Sequence, residues 1–196
     1  MKKETVCAIF SNIPTLHTER LTLRRMSVRD TDDMFDYAKR QQTTEYLLWY
    51  PHQTRKYTED YLRYIGTRYN LGEFYDWAVI ENESGKMIGT CGFTRFDLPH
   101  NSAEIGYVLN PDFHGVGYAT EAAERVIEFG FSELSLHRIE ARFMLGNDAS
   151  LHVMEKLGMT FEGYRRDGML VKNKYRTIGT CSILKNEWTG KKETEK

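Results

Sequence analysis

Residues 77–144 carry the pattern that most restricts what this chain can become. Trp77-Ala-Val-Ile-Glu81, Lys86 to Phe96 and Ala103-Glu-Ile-Gly-Tyr-Val-Leu109 are three apolar-rich runs of strand character. Only Asn82-Glu-Ser-Gly85 and Asp97-Leu-Pro-His-Asn101 separate them, and both read as turns. Three strands on such short connections form an antiparallel meander. Gly89 and Gly92 in the second run mark a bulge or a close backbone approach. From about Gly117 to Leu134 the period changes: Ala119, Ala122, Ala123, Val126, Ile127, Gly130 and Leu134 recur at three- and four-residue spacing, as on one helix face. His137 to Met144 then returns to strand character. A strand–helix–strand unit over 103–144 implies a parallel pair inside a largely antiparallel sheet. The expected class is therefore α+β, a mixed α/β domain.

The flanks fit that frame. Arg20 to Met26 alternates polar and apolar residues, as a half-buried strand does, and its arginines are expected on the outer face. A helix follows from about Val28 to Arg40, with Asp30, Asp32 and Asp33 loading its first turn. A second helix is expected from Glu59 to Leu71, capped by Thr58 and ended by Gly72. Asn147 or Asp148 caps a short helix that Gly158 stops. Met159 to Arg165 and Tyr175 to Leu184 are closing strands around a loop at 165–175. Residues 1–14 lack clear periodicity and read as a loosely held lead-in. Residues 15–188 read as one domain and 189–196 as a charged flexible tail.

Bulk properties narrow the function classes. A net charge of -1 argues against nucleic acid as the main partner. No apolar run is long enough to span a bilayer, and no signal segment precedes the first strand, so a cytoplasmic location is expected. Cys7, Cys91 and Cys181 are too widely spaced for a metal or redox motif, and Cys91 and Cys181 read as buried small hydrophobes. The six histidines show no metal-ligand spacing, so no metal is expected.

The stretch His114-Gly-Val-Gly-Tyr-Ala119 sits where the meander meets the helix. It lacks the Gly-Lys-Ser/Thr of a Walker loop. Nor is it a dinucleotide fingerprint, because Thr120 stands where a third small residue belongs. It still suits an anion. Unpaired N–H groups at a helix start point outward with partial positive charge behind them. Gly115 and Gly117 remove side chains that would block approach, and Ala119 keeps the first turn slim. A pyrophosphate would fit.

His114, Gly117 and Ala119 resemble the Gln/Arg-x-x-Gly-x-Gly/Ala motif of the GCN5-related N-acetyltransferases (GNAT), with His in the first place. Thr18 to Arg24 resembles the opening strand of the subgroup that acetylates alanine or serine N-termini of ribosomal proteins. Glu104 to Leu109 resembles that subgroup's fourth strand. Asn147-Asp-Ala-Ser150 with Glu155 to Met159 resembles its N-x-x-S segment and following helix. The resemblance spans about residues 15–186. It implies a GNAT fold: a mostly antiparallel twisted sheet of about seven strands with a splayed parallel pair, flanked by about four helices.

It also implies acetyl-CoA as co-substrate and direct transfer of acetyl to a primary amine in a ternary complex. Tyr107, Val108 and Leu109 would pair with the pantetheine arm as an added strand. His114, Gly115, Val116, Gly117, Tyr118, Ala119 and Thr120 would form the pyrophosphate cradle. Asn147 would hold pantetheine and cap its helix. Ser150 would donate to the leaving thiolate, and Glu104 would serve as base through water. Two places depart from the pattern: Met154 where many members carry a tyrosine acid, and Met169, near Asp167, where some carry a glutamate base.

The acceptor pocket is expected between the aromatic-dense 41–76, which holds Tyr46, Trp49, Tyr50, Tyr57, Tyr61, Tyr64, Tyr69, Phe74 and Tyr75, and the loop at 165–175. The few acids in that block, Glu45, Glu59, Asp60 and Glu73, mildly favour a protein N-terminus. A small-molecule amine and a non-catalytic acyl-CoA-binding module are the alternatives. A homodimer stays open.

Overall fold

The computed structural model describes residues 2–190. The helices are α1 (Lys3–Ser11), α2 (Thr31–Ala38), α3 (Gln41–Thr44), α4 (Arg55–Asn70), α5 (Tyr118–Ser132) and α6 (Asp148–Lys156). The strands are β1 (Leu16–His17), β2 (Leu21–Arg24), β3 (Asp76–Glu81), β4 (Met87–Asp97), β5 (Ser102–Leu109), β6 (Arg138–Met144), β7 (Thr160–Val171) and β8 (Lys174–Leu184). Single 3-10 turns occur at Val28–Asp30 and Pro111–Phe113. One sheet runs in the order β1-β2-β3-β4-β5-β6-β8-β7. Among its described pairings only β5 with β6 is parallel. The mixed sheet with one parallel pair is thus as expected, with eight strands and six helices in place of about seven and about four.

Three local expectations are corrected. Residues 1–14 are not a loose lead-in. α1 buries Val6 and Phe10 completely, and the Phe10 ring meets Tyr75, Trp77 and Phe129 edge-on at 5.0, 5.6 and 6.3 Å. Two apolar anchors four residues apart are too few to register as a period. Second, α4 begins four residues earlier than expected, at Arg55, with the Thr54 hydroxyl accepting from the Tyr57 amide at 3.1 Å. Thr58 instead turns inward and bonds His52 Nδ1 at 2.8 Å. Third, 165–175 is largely strand. β7 and β8 meet at Lys172-Asn173, whose φ values of 50° and 62° make the tight turn. The tail expected over 189–196 lies, from residue 191 on, outside the described residues.

The feature that positions the site is the incomplete pairing of β5 with β6. Register joins Ser102–Ile105 to Arg138–Ala141 and then stops. Beyond that point Gly106 to Leu109 stay paired with β4, while Arg142 to Met144 stay paired with β8. The two strands therefore splay and leave a gap in the sheet. α5 packs across β4 and β5 behind it, burying Ala122, Ala123, Val126 and Ile127. Cys91 and Cys181 are buried in this framework, and burial raises both thiol pKa values, so both act as small apolar side chains.

Candidate active site

The loop before α5 is open to solvent. Gly117 caps the helix in the left-handed region at φ 92°, with no side chain bonded to the helix start. Gly115 has φ 82°. The first bond of this helix start runs from the Glu121 amide to the Gly117 carbonyl at 3.0 Å. The amides of Tyr118, Ala119 and Thr120 precede it and have no intrahelical partner. Arg20 pins the loop from β2's side. Its Nη1 donates to the Val116 carbonyl at 3.0 Å, its Nε to Glu121 Oε2 at 2.7 Å, and its guanidinium lies 4.5 Å from the centre of the Tyr118 ring. Glu121 is held further by the Thr18 hydroxyl at 2.6 Å. The sequence reading placed Arg20 only on an outer strand face; its reach of almost a hundred residues is a tertiary fact. His114 Nε2 donates to the Leu109 carbonyl at 3.0 Å, which ties the irregular first letter of the motif to the end of β5.

A cavity of about 430 Å³ passes through the splay. Asp76, Gly92 and Gly106 are register partners across β3, β4 and β5, so they share one sheet face, and Tyr107 points to the other. Both faces contribute to the same cavity, along with Asn147 and Ser150 from α6. Tyr107 Oη donates to the Ser150 carbonyl at 3.0 Å and lies 3.1 Å from Ser150 Oγ. Burial raises the Tyr107 pKa, against an opposing effect from the Ser150 bond, so the phenol keeps its proton at neutral pH. Asn147 caps α6, its Oδ1 accepting from the Ser150 amide at 3.3 Å; its amide nitrogen takes no part in that cap. Met154 and Met169 line the cavity without protons to give, while Asp167 stands exposed in an irregular part of β7 outside the lining.

Two carboxylates line this space, and they differ. Glu104 is 8% exposed, not solvent-facing, and its Oε2 lies 2.6 Å from Arg142 Nη2 and 3.7 Å from Arg95 Nη2. Asp76 is half-buried as a residue, but its Oδ1 is sealed from solvent and has no hydrogen-bond partner. Burial raises its pKa to about 7, opposed by bonds from the Thr90 hydroxyl and the Trp77 amide. Sequence reasoning missed it by starting the strand one residue later. The available signal was an acid opening an otherwise apolar run.

The remaining wall is aromatic, from Tyr46, Trp49, Tyr57 and Tyr61, while Tyr69 sits in the core. His52 is among them, its ring 4.9 Å from Tyr57 and 5.2 Å from Trp49. Burial lowers its pKa, so it is neutral near pH 7.

A sequence model described as the acetyltransferase (GNAT) domain matches residues 20–160. The chain belongs to the GNAT acetyltransferase family. It is 35% identical over 176 residues to an uncharacterized N-acetyltransferase, p20, of Bacillus licheniformis, covering 90% of this chain and 99% of that protein. A GNAT-family acetyltransferase from Bacillus anthracis superposes with a TM-score of 0.79 at 29% identity, over 89% of this chain and 100% of that one. Relatives with stated acceptors diverge. A spermidine N(1)-acetyltransferase of Vibrio cholerae is 24% identical over 115 residues, 59% of this chain and 66% of that protein. A ribosomal-protein-S5-alanine acetyltransferase from Vibrio fischeri shares the fold, with a TM-score of 0.73 at 20% identity over 89% and 98% of the two chains.

GNAT acetyltransferases use acetyl-CoA, and the residues here suit it. The orphan amides at Tyr118–Thr120 and the two left-handed glycines leave room for a pyrophosphate. The unpaired edge of β5 over Gly106–Leu109 offers an extended arm a partner.

Proposed function

We propose that this enzyme acetylates the α-amino group of a protein or peptide N-terminus, with Tyr107, Val108, Leu109, the loop from His114 to Thr120, and Asn147 holding acetyl-CoA. The supporting observation is the charge count of the cavity. Of its two carboxylates, Glu104 is already matched by Arg142, which leaves Asp76 alone in an aromatic wall. One uncompensated carboxylate suits one ammonium or amine. A polyamine brings several cations, and each desolvated charge needs its own partner. The aromatic rings suit a first side chain and the peptide plane behind it.

Reactivity points the same way. An amine must be neutral to attack, and an α-amino group ionises near about 7.7–8.0, against about 10.4 for a lysine-type amine. Acetyl-CoA supplies the activated acyl group. The chain's part is to orient the amine and to offer Ser150 as a donor to the departing sulfur. The test is thiol release from acetyl-CoA across peptides beginning with alanine, serine or methionine, an N-terminally blocked lysine peptide, and spermidine. The expected order puts free N-termini first. Faster turnover of spermidine than of every peptide would replace this acceptor class with the small-molecule one.

A further inference from the structure

Asp76 Oδ1 and Tyr37 Oη have no hydrogen-bond partner and no access to solvent, and both residues line the cavity. A buried polar atom without a partner is costly, and two such atoms on residues lining one cavity are more so. Tyr37 is 1% exposed, on α2; burial raises its pKa, and the Asp76 charge adds to the effect. The groups facing Asp76 are Tyr37 from α2, Tyr61 and Tyr69 from α4, and Cys91 from β4, with neutral His52 further along the wall. None of these brings a positive charge. The Tyr69 hydroxyl is already spent on the Asp76 main-chain carbonyl and on the Met26 amide. The Thr90 hydroxyl and the Trp77 amide already bond this carboxylate, so the site presents one carboxylate oxygen, Oδ1, without a hydrogen-bond partner and without a resident cation.

Its position is also defined. Asp76 and Gly106 are partners of the same residue, Gly92, on opposite sides of β4. Two strand spacings separate their backbones by roughly 10 Å. That span accommodates a carboxylate, an amine nitrogen and, where needed, one water before the splayed edge of β5. Gly92 keeps it open: a Cβ there would lie 2.4 Å from the Asp76 Cα and 2.8 Å from its Oδ1.

We propose that Asp76 is the proton acceptor of acetyl transfer, with Tyr37 positioning the amine. This rests on the reading of the chain as a primary-amine acetyltransferase. The amine donates a hydrogen bond to the Asp76 carboxylate where that half-buried residue lines the cavity, directly or through one water. Its lone pair forms the N–C bond with the thioester carbonyl carbon, the C–S bond breaks, and the sulfur leaves with the electron pair. The surplus proton on nitrogen passes to Asp76. The sulfur takes a proton from solvent by way of the Ser150 hydroxyl, and Asp76 returns its own to solvent when the amide departs. Glu104 is less suited, because its Oε2 is held by Arg142.

The experiment uses the full chain and whichever amine of the panel above it turns over fastest. Asp76→Asn keeps the shape and removes the proton acceptor. It should lower kcat/KM by about 10²–10⁴ and leave acetyl-CoA affinity, read by calorimetry, within about threefold. The wild-type kcat/KM should show a limb rising through about pH 7 that the variant lacks. Tyr37→Phe, which removes only an orphaned hydroxyl, should raise KM for the amine more than it lowers kcat. Wild-type kcat/KM with an unchanged pH profile in Asp76→Asn overturns the Asp76 proposal alone. No thiol release from the wild type with any amine overturns the transferase reading and this proposal together. Preference for spermidine changes the acceptor class and leaves the Asp76 test intact.

Discussion

The Tyr107 hydroxyl lies 3.1 Å from Ser150 Oγ and donates to the Ser150 carbonyl, so a residue of β5 fixes the first turn of α6 across the splay. With the phenol's proton on the carbonyl, its oxygen is free to accept from the Ser150 hydroxyl. That holds Oγ at the cavity wall, where departing sulfur can compete for its proton. A neutral hydrogen bond of this kind is worth up to roughly 1.5 kcal/mol, about a factor of ten in rate if made only as the sulfur leaves. Ser150→Ala should therefore lower kcat about tenfold while acetyl-CoA affinity moves less than about threefold. Steady-state kinetics beside calorimetry separates the two, and a wild-type kcat would remove Ser150 from the chemistry.

Gly117 allows a graded test of the anion cradle. At φ 92° any L side chain is strained by roughly 1–2 kcal/mol, although a Cβ would meet nothing closer than Arg20 Nη2 at 3.5 Å. Gly117→Ala should thus cost about that much stability and bind acetyl-CoA more weakly by at most about tenfold. Gly117→Glu adds a carboxylate against the pyrophosphate, and its acetyl-CoA binding should fall below detection. Equal affinities for the two variants would place the anion elsewhere.

The Glu104–Arg142 pair, 2.6 Å apart, allows a test by stability. Its side chains are 10% and 32% exposed, so solvent screens the contact only in part. Glu104→Gln leaves the guanidinium uncompensated beside an apolar cavity, at a cost of about 1–3 kcal/mol after allowing for that screening. A chain of this size loses roughly 2–4 °C of Tm per kcal/mol. A drop of several degrees is expected in calorimetry, and Glu104→Gln combined with Arg142→Met should recover most of it. No recovery in the double variant would mean that the weaker contact to Arg95, or another partner of Glu104, carries the loss.

Much of this was legible in the sequence because periodicity survives where an element is long. The 15-residue α5, the β3–β4–β5 meander and the parallel crossover all follow from residues 77–144. Asn147 was legible because a cap is a local interaction, made within three residues. What stayed hidden depends on distant neighbours. Phe10 carries α1 into the core through rings at 75, 77 and 129, and no local pattern announces that. Arg20 reads as a surface strand residue until Val116 is folded against it. The ion pair of Glu104 with Arg142 joins two strands and has no local signal either. Asp76 is the clearest instance: its burial comes from α2 and α4 closing over the end of β3, and its chemistry comes from that burial.

Asp76 should leave a mark on stability that is independent of turnover. Its pKa in the folded protein is about 7, against an ordinary value of 3.8. Between those values the folded chain holds a proton that the unfolded chain has released, so stability falls as pH rises across this window and is level above it. Below about pH 4 both states are protonated and there is no penalty. Asparagine cannot ionise. The advantage of Asp76→Asn over wild type should therefore be near zero at pH 4, grow to pH 7, and plateau by pH 8. The gap between 3.8 and about 7 corresponds to at most about 4 kcal/mol at the plateau. Thermal unfolding of both proteins at several pH values between about 4 and 8 measures it directly. A Tm difference that does not change with pH would mean that Asp76 titrates like an exposed carboxylate, and the buried-acceptor geometry would lose its energetic basis.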